Sequence, residues 1–246
     1  MSKLADAIRR SQRIEASPMG FGTARPTAKP SMLVGFLCAD TAIEAARDAG
    51  ADLILVDARD RQIDGSEASR LRSGAGDVAL GVWSPVTNGD TAKQLHEGGV
   101  DFLVLDPEST PAAALLDDDL GYVLELGAVP EELFLRSLEP LSFEALYMGD
   151  ISTPLTVARQ IELSRIRMLA GKPLLCNTAP DLSKEDLQCL RAAGVLVLLT
   201  DSLEGLAYLK ETVASLPQRK QRRDDRPVVS LPRGAAPTES DDDEDE

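Results

Sequence analysis

A chain of 246 residues with a net charge of −15 and only 4% aromatic residues is long enough for one large α/β domain with an aliphatic core. The charge is uneven: residues 31–216 hold 14 basic against 30 acidic residues, and a body of net −16 repels nucleic acid and anionic membrane surfaces. No run reaches the ~18 apolar residues of a membrane span, and the amino terminus has no signal-peptide core, so a cytoplasmic location is expected.

Residues 1–30 read as an N-terminal arm. Leu4, Ala5, Ile8 and Ile14, with arginines at 9, 10 and 13, predict a short amphipathic helix, which Pro18, Pro26 and Pro30 end. From Met32 onward strand and helix signals alternate. Predicted strands are Met32–Cys38, Asp52–Asp57, Val78–Trp83, Asp101–Leu105, Tyr122–Leu126, Ala145–Met148, Pro173–Asn177 and Leu196–Thr200. The helices between them are expected to run to Gly50 from a cap at Asp40 or Thr41, around Ser66–Ser73, over Asp90–Gly98, from Pro111, over Pro130–Leu138, Pro154–Ala170 and Ser183–Ala193, and last over Leu203–Ser215. Beyond Pro217 a charged run, a proline- and glycine-containing stretch and the acidic Asp241–Glu246 read as a disordered acidic C-terminal tail, residues 217–246.

Three segments share one phrase: Gly50-Ala-Asp-Leu-Ile-Leu-Val-Asp57, Gly99-Val-Asp-Phe-Leu-Val-Leu-Asp106 and Gly194-Val-Leu-Val-Leu-Leu-Thr-Asp201. Glycine ends a helix, an apolar run forms a buried strand, and aspartate stands where the strand delivers its polar residue. Together with the other five strands these make eight strand-plus-helix units within residues 31–216, which predict an α/β (β/α)8 TIM barrel. An open doubly wound sheet has the same local grammar, but no G-x-G-x-x-G follows any strand.

In such a barrel chemistry sits at the C-terminal ends of the strands. Those ends offer Cys38 and Asp40; Asp57, Arg59 and Asp60; Trp83 and Ser84; Asp106 and Glu108; Glu125; Asp150; Asn177 and Thr178; and Thr200 and Asp201. Converging acids need a cation or a proton to neutralise them. Oxygen ligands of this kind suit a divalent metal, Mg²⁺ or Mn²⁺, with Asp57, Asp106, Glu125 and Asp150 as candidate ligands. The same aspartates would also serve simply as helix caps.

Other chemistries lack residues. The lone His96 is expected on a helix surface, away from the strand ends, which leaves no Ser-His-Asp triad. The seven lysines fall in the arm, helices, a strand lead-in or the tail, so none is placed for a Schiff base. Cys38, Cys176 and Cys189 are odd in number and widely spaced, and read as buried thiols rather than a disulfide or zinc set.

The segment from Pro173 to Thr200 resembles the last two units of the aldolase-type, ribulose-phosphate-binding barrels, with Ser183, Glu185, Asp186, Leu187, Ala193, Gly194 and Val195 on the shared framework. The resemblance implies a barrel of that superfamily. It also implies a phosphate grip built on glycines after strands seven and eight, but here those places hold Thr178, Ala179, Pro180 and Asp201. Asp57-Ala-Arg59-Asp60 is faintly similar to the acidic strand-two motif of metal-dependent pyruvate-type aldolases. The resemblance thus implies lyase or isomerase chemistry on a small metabolite, with Asp57, Arg59 and Asp106 as catalytic candidates and Arg59 orienting a substrate carboxylate. The alternative is a non-catalytic binding or scaffold barrel. Protein partners or self-association through the arm or tail belong to that alternative.

Overall fold

The computed structural model describes residues 2–12, 32–86, 88–127 and 130–217. The tail beyond 217 and the arm between 13 and 30 lie outside them. Eight parallel strands close into a barrel in sequence order, with β8 hydrogen-bonded to β1. They are β1 (Leu33–Cys38), β2 (Leu53–Asp57), β3 (Ala79–Trp83), β4 (Phe102–Leu105), β5 (Gly121–Glu125), β6 (Phe143–Asp150), β7 (Leu174–Asn177) and β8 (Val195–Thr200). Helix α1 (Lys3–Gln12) precedes them. Around the outside run α2 (Ile43–Asp48), α3 (Gly65–Ala75), α4 (Gly89–Glu97), α5 (Glu132–Ser137), α6 (Val157–Ala170), α7 (Lys184–Ala193) and α8 (Leu203–Ala214), and a 3₁₀ turn (Ala112–Leu116) takes the helix position between β4 and β5.

Strand alternation divides the core in two. Leu53, Leu55, Val104, Val123, Tyr147, Leu175, Val197 and Leu199 fill the barrel interior. Their neighbours Ile54, Val56, Leu103, Leu124, Leu146, Cys176 and Leu198 pack outward against the helices. Three strands contribute glycine to the interior, and larger residues occupy the space. A Cβ on Gly81 would fall inside the Phe102 ring, and one on Gly35 would lie 2.8 Å from Leu53 and Leu199 side-chain carbons. The repeated glycines also have a conformational reason, since Gly50, Gly99 and Gly194 stand at φ +79°, +92° and +98°, where a Cβ is disfavoured.

Aspartates two residues after the first two of these glycines tie strand starts together. Asp52 Oδ2 accepts from the Val34 amide at 2.8 Å, and Asp101 Oδ2 accepts from Leu80 N at 2.8 Å and Arg72 Nη1 at 2.6 Å. Helix starts follow ordinary capping. Asp64, Asn88, Thr156, Ser183 and Ser202 each accept an amide of the first turn. Helix α2 differs from the expected Asp40 or Thr41 cap: its N-cap is Ala42 without a side-chain bond, because Asp40 pairs instead with Arg61 and Arg70.

Helix α1 closes the N-terminal end of the barrel. Leu4, Ala7 and Ile8 join the interior cluster, and Leu4 is fully buried. Ser2 Oγ caps the helix by accepting from Ala5 N at 3.1 Å and donates to Glu144 at the start of β6 at 2.7 Å. This apolar face is thus occupied by the chain's own barrel. Among the described residues no helix is long and apolar enough to cross a membrane.

Candidate functional site

The open end of the barrel is where β2, β3, β5, β6 and β7 deliver Asp57, Trp83, Glu125, Tyr147 and Asn177. Trp83 and Tyr147 form its floor, both buried, with ring centroids 4.6 Å apart in an edge-to-face arrangement. Arg59, two residues beyond β2, turns back over that floor. Its guanidinium lies 4.1 Å from the centre of the Trp83 ring. It also grips Asp57 in a fork, Nε to Oδ1 at 3.0 Å and Nη2 to Oδ2 at 2.7 Å. Among the described residues its Nη1 has no hydrogen-bond partner, and the side chain is 55% exposed.

The acids around this arginine are pushed in opposite directions. The side-chain hydrogen bonds from Arg59 hold Asp57 below the usual carboxylate range. The Ser109 hydroxyl at 2.7 Å, helped by the Glu108 amide at 3.0 Å, does the same for Asp106. Glu125 moves the other way: burial raises its carboxyl, and the charges of Asp106 and Asp57 add to the rise against the pull of Arg59. Tyr147 is also raised, first by burial and then by Asp150. Asp150 sits across the mouth, accepting from Asn177 Nδ2 at 2.8 Å.

Asp57, Arg59, Asp106 and Glu125 are therefore brought within electrostatic reach of one another, and Asp150 belongs to the β6–β7 side. As donors they do not fit a metal ion in this arrangement. Both oxygens of Asp57 are taken by Arg59, and both of Asp106 by its own loop. Among the described residues no group of three or more His, Cys, Asp or Glu side chains is gathered to hold one. Cys38 and Cys176 are buried, and burial pushes each thiol up to about 12, which removes them as thiolate nucleophiles. His96 is half-buried on α4, its Nδ1 2.7 Å from Asp117, away from the strand ends.

A cavity of about 220 Å³ lies at the ends of β6, β7 and β8, lined among others by Asp150, Asn177, Thr178, Pro180, Thr200 and Asp201. No lysine or arginine lines it. The start of α8, just beyond Asp201, has its first amides engaged. Ser202 Oγ already accepts from Gly205 N at 3.2 Å, and Pro180 packs so closely on Gly205 that an added Cβ would meet it at 2.5 Å. The cavity between β6 and β8 thus offers a phosphate no cation and, at the start of α8, no open helix terminus.

Tyr147 is the site residue that strand-end reading missed. The signal was present: it lies directly across from Glu125 in the β5–β6 register, one interior step below the strand end.

Comparison of the backbone with solved structures agrees with this architecture. 3-Keto-L-gulonate-6-phosphate decarboxylase from Vibrio cholerae is 11% identical with a TM-score of 0.58, the match covering 74% of this chain and 97% of that one. KGPDC from Streptococcus mutans is 13% identical, TM-score 0.57, over 74% and 97%. An HpcH/HpaI aldolase/citrate lyase family protein from Burkholderia cenocepacia is 16% identical, TM-score 0.51, over 75% and 93%. What these structures share with the chain is the fold, a closed eight-stranded (β/α)8 barrel. No protein-family model and no curated protein matches the chain.

Proposed function

We propose that this barrel acts on a small carbonyl metabolite by moving a proton at the carbon beside the carbonyl, a step that suits the lyase class named for the solved neighbours and equally an isomerase. The observation that carries this is the split among the mouth acids: Glu125 raised, Asp57 and Asp106 lowered, around one arginine. Environments that push neighbouring carboxyls apart mark an acid–base pairing, and a carboxylate raised toward neutrality is the better base.

In this reading the Glu125 carboxylate takes the α-proton. The C–H electron pair becomes the carbon–carbon double bond of an enolate as the carbonyl π pair moves onto oxygen, and the free Nη1 of Arg59 donates to the oxyanion that forms. Asp57 holds the guanidinium in place, and the charge of Asp106 raises Glu125. The protonated Glu125 exchanges its proton with solvent, and return of a deuteron to the carbon then labels the substrate. The test is proton–deuterium exchange in D₂O, followed by NMR, over small 2-keto acids and ketose phosphates. Glu125→Gln is expected to slow exchange by ~10²–10⁴-fold. Exchange undiminished in Glu125→Gln sinks the assignment. Parallel arms with Mg²⁺, Mn²⁺ or a chelator decide whether Asp57 trades Arg59 for a cation.

A non-catalytic binding barrel is the second reading, favoured by the pairing of Arg59 with Asp57 and by Pro180 closing the α8 terminus. Ligand binding at the mouth with no exchange for any substrate supports it instead.

A further inference from the structure

The outer face of α6 exposes more apolar surface than a solvated helix needs. Val157, Ile161 and Met168 are exposed to 72%, 63% and 75%, whereas Leu163, Ile166 and Ala170 of the same helix are buried. At 3.6 residues per turn the three exposed side chains fall within about 40° of one another, opposite the buried set. Helix α5 packs beside α6 and adds Leu133, 78% exposed. These four side chains present on the order of 500 Å² of apolar surface, at the upper end for the largest patch on a typical monomer.

The charge on this face is as unusual as its hydrophobicity. Over most of an acidic body a second copy of the chain meets like charge. The exposed positions of α6 are Val157, Ala158, Ile161, Ser164, Arg165 and Met168, with no acid among them. Glu162 is half-buried and paired with Arg159 at 2.7 Å. Glu132 of α5 is paired with Arg136 at 2.6 Å, which lowers that carboxyl, and the single exposed cation of α6, Arg165, adds to the lowering. The patch is thus apolar and electrically balanced, which is what a self-contact requires on an acidic molecule.

Its spacing is also self-complementary. Two antiparallel copies of α6 related by a two-fold axis between residues 162 and 163 set Val157 against Met168 of the partner subunit. The same axis sets Ile161 against Ser164 of the partner subunit, where a small side chain leaves room for the larger one. The two Arg165 side chains are then offset along the axis by about 7.5 Å rather than face to face. The antiparallel arrangement also opposes the helix dipoles.

We propose that the α6 face is the contact between two copies of this chain, paired about a two-fold axis. The pairing is independent of the reaction at the mouth. The experiment is sedimentation equilibrium on the full-length chain from micromolar to sub-millimolar concentration. The expected result is a mass rising toward twice 26.3 kDa. Ile161→Glu should raise the dissociation constant about tenfold or more while leaving the thermal unfolding curve of the separated chain unchanged. Ser164→Cys in a Cys189→Ala background should give a disulfide-linked dimer on oxidation, and Ser73→Cys on α3 should not. A monomer at every concentration overturns the proposal, as does a dimer that Ile161→Glu leaves intact. A monomer whose Met168 methyl stays shielded from a soluble paramagnetic probe assigns the face to residues of the same chain and also overturns it.

Discussion

Replacing Gly81 by alanine tests how the barrel interior is filled. The ring of Phe102, its registered neighbour on β4, occupies the space where the new Cβ would stand, and three ring carbons meet it at overlapping distance. The ring is confined, because Phe102 is fully buried and the space over its other neighbour, Gly121, is filled by the side chains of Ser2 and Glu144. Adding one methyl group to a packed core of this kind costs ~1–3 kcal/mol, and the upper half of that range is expected because the ring is rigid. For a domain of this size each 1 kcal/mol moves Tm by about 2–4 °C, so a loss of roughly 4–12 °C should appear in thermal unfolding. Urea unfolding should show a lower midpoint with unchanged slope. Phe102→Leu in the Gly81→Ala background should recover part of the loss, a non-additivity of ~0.5–3 kcal/mol between residues in contact. A Gly81→Ala variant within ~0.5 kcal/mol of the parent, or strict additivity with Phe102→Leu, refutes the packing argument.

Leu4→Ala should destabilise the whole chain by ~2–5 kcal/mol in urea unfolding, as expected for a buried leucine, and a negligible effect would mean that α1 does not close the barrel. Burial raises the Glu144 carboxyl above its ordinary 4.5, so its ionisation opposes folding; stability from this group is complete below about that pH and declines as pH rises through the folded value. Glu144→Gln, which still accepts from Ser2, should therefore gain on the parent between acid and neutral pH, and a pH-independent difference counts against it. Native protein treated with iodoacetamide at mildly alkaline pH should be labelled at half-buried Cys189 and spared at Cys38 and Cys176, with all three reacting in urea. Rapid native labelling of Cys38 would contradict its environment.

The barrel could be read from the chain because short apolar runs alternate with helix signals, three of them in the same glycine-to-aspartate phrase, and all eight strands fall within two residues of their expected starts and ends. The mouth was legible only in part. Asp57 and Asp106 stand out because each directly ends an apolar run, with Arg59 two residues beyond the first and Glu125 near the end of its own strand. What they do with one another depends on the χ angles that bring Arg59 back over Trp83, which no spacing encodes. Asp52 and Asp101 illustrate the reverse: they sit in the repeated phrase as plainly as Asp57 and Asp106, yet they knit strand starts at the other end of the barrel. Sequence shows which residue types recur, and the end of the strand on which each falls decides between a brace and a reagent. The role of α1 was likewise hidden, since an amphipathic pattern reveals an apolar face but not the cavity that receives it.

The placement of α1 also has a cost during synthesis. Its ten residues leave the ribosome before any strand, yet the socket for Leu4 and Ile8 does not exist until β8 pairs with β1. At ~5–20 residues per second, translation of the intervening chain leaves that greasy face without its home for roughly ten seconds or more. The nascent chain therefore carries an unmet long-range contact early, and a holdase that recognises short amphipathic helices would find its first substrate there.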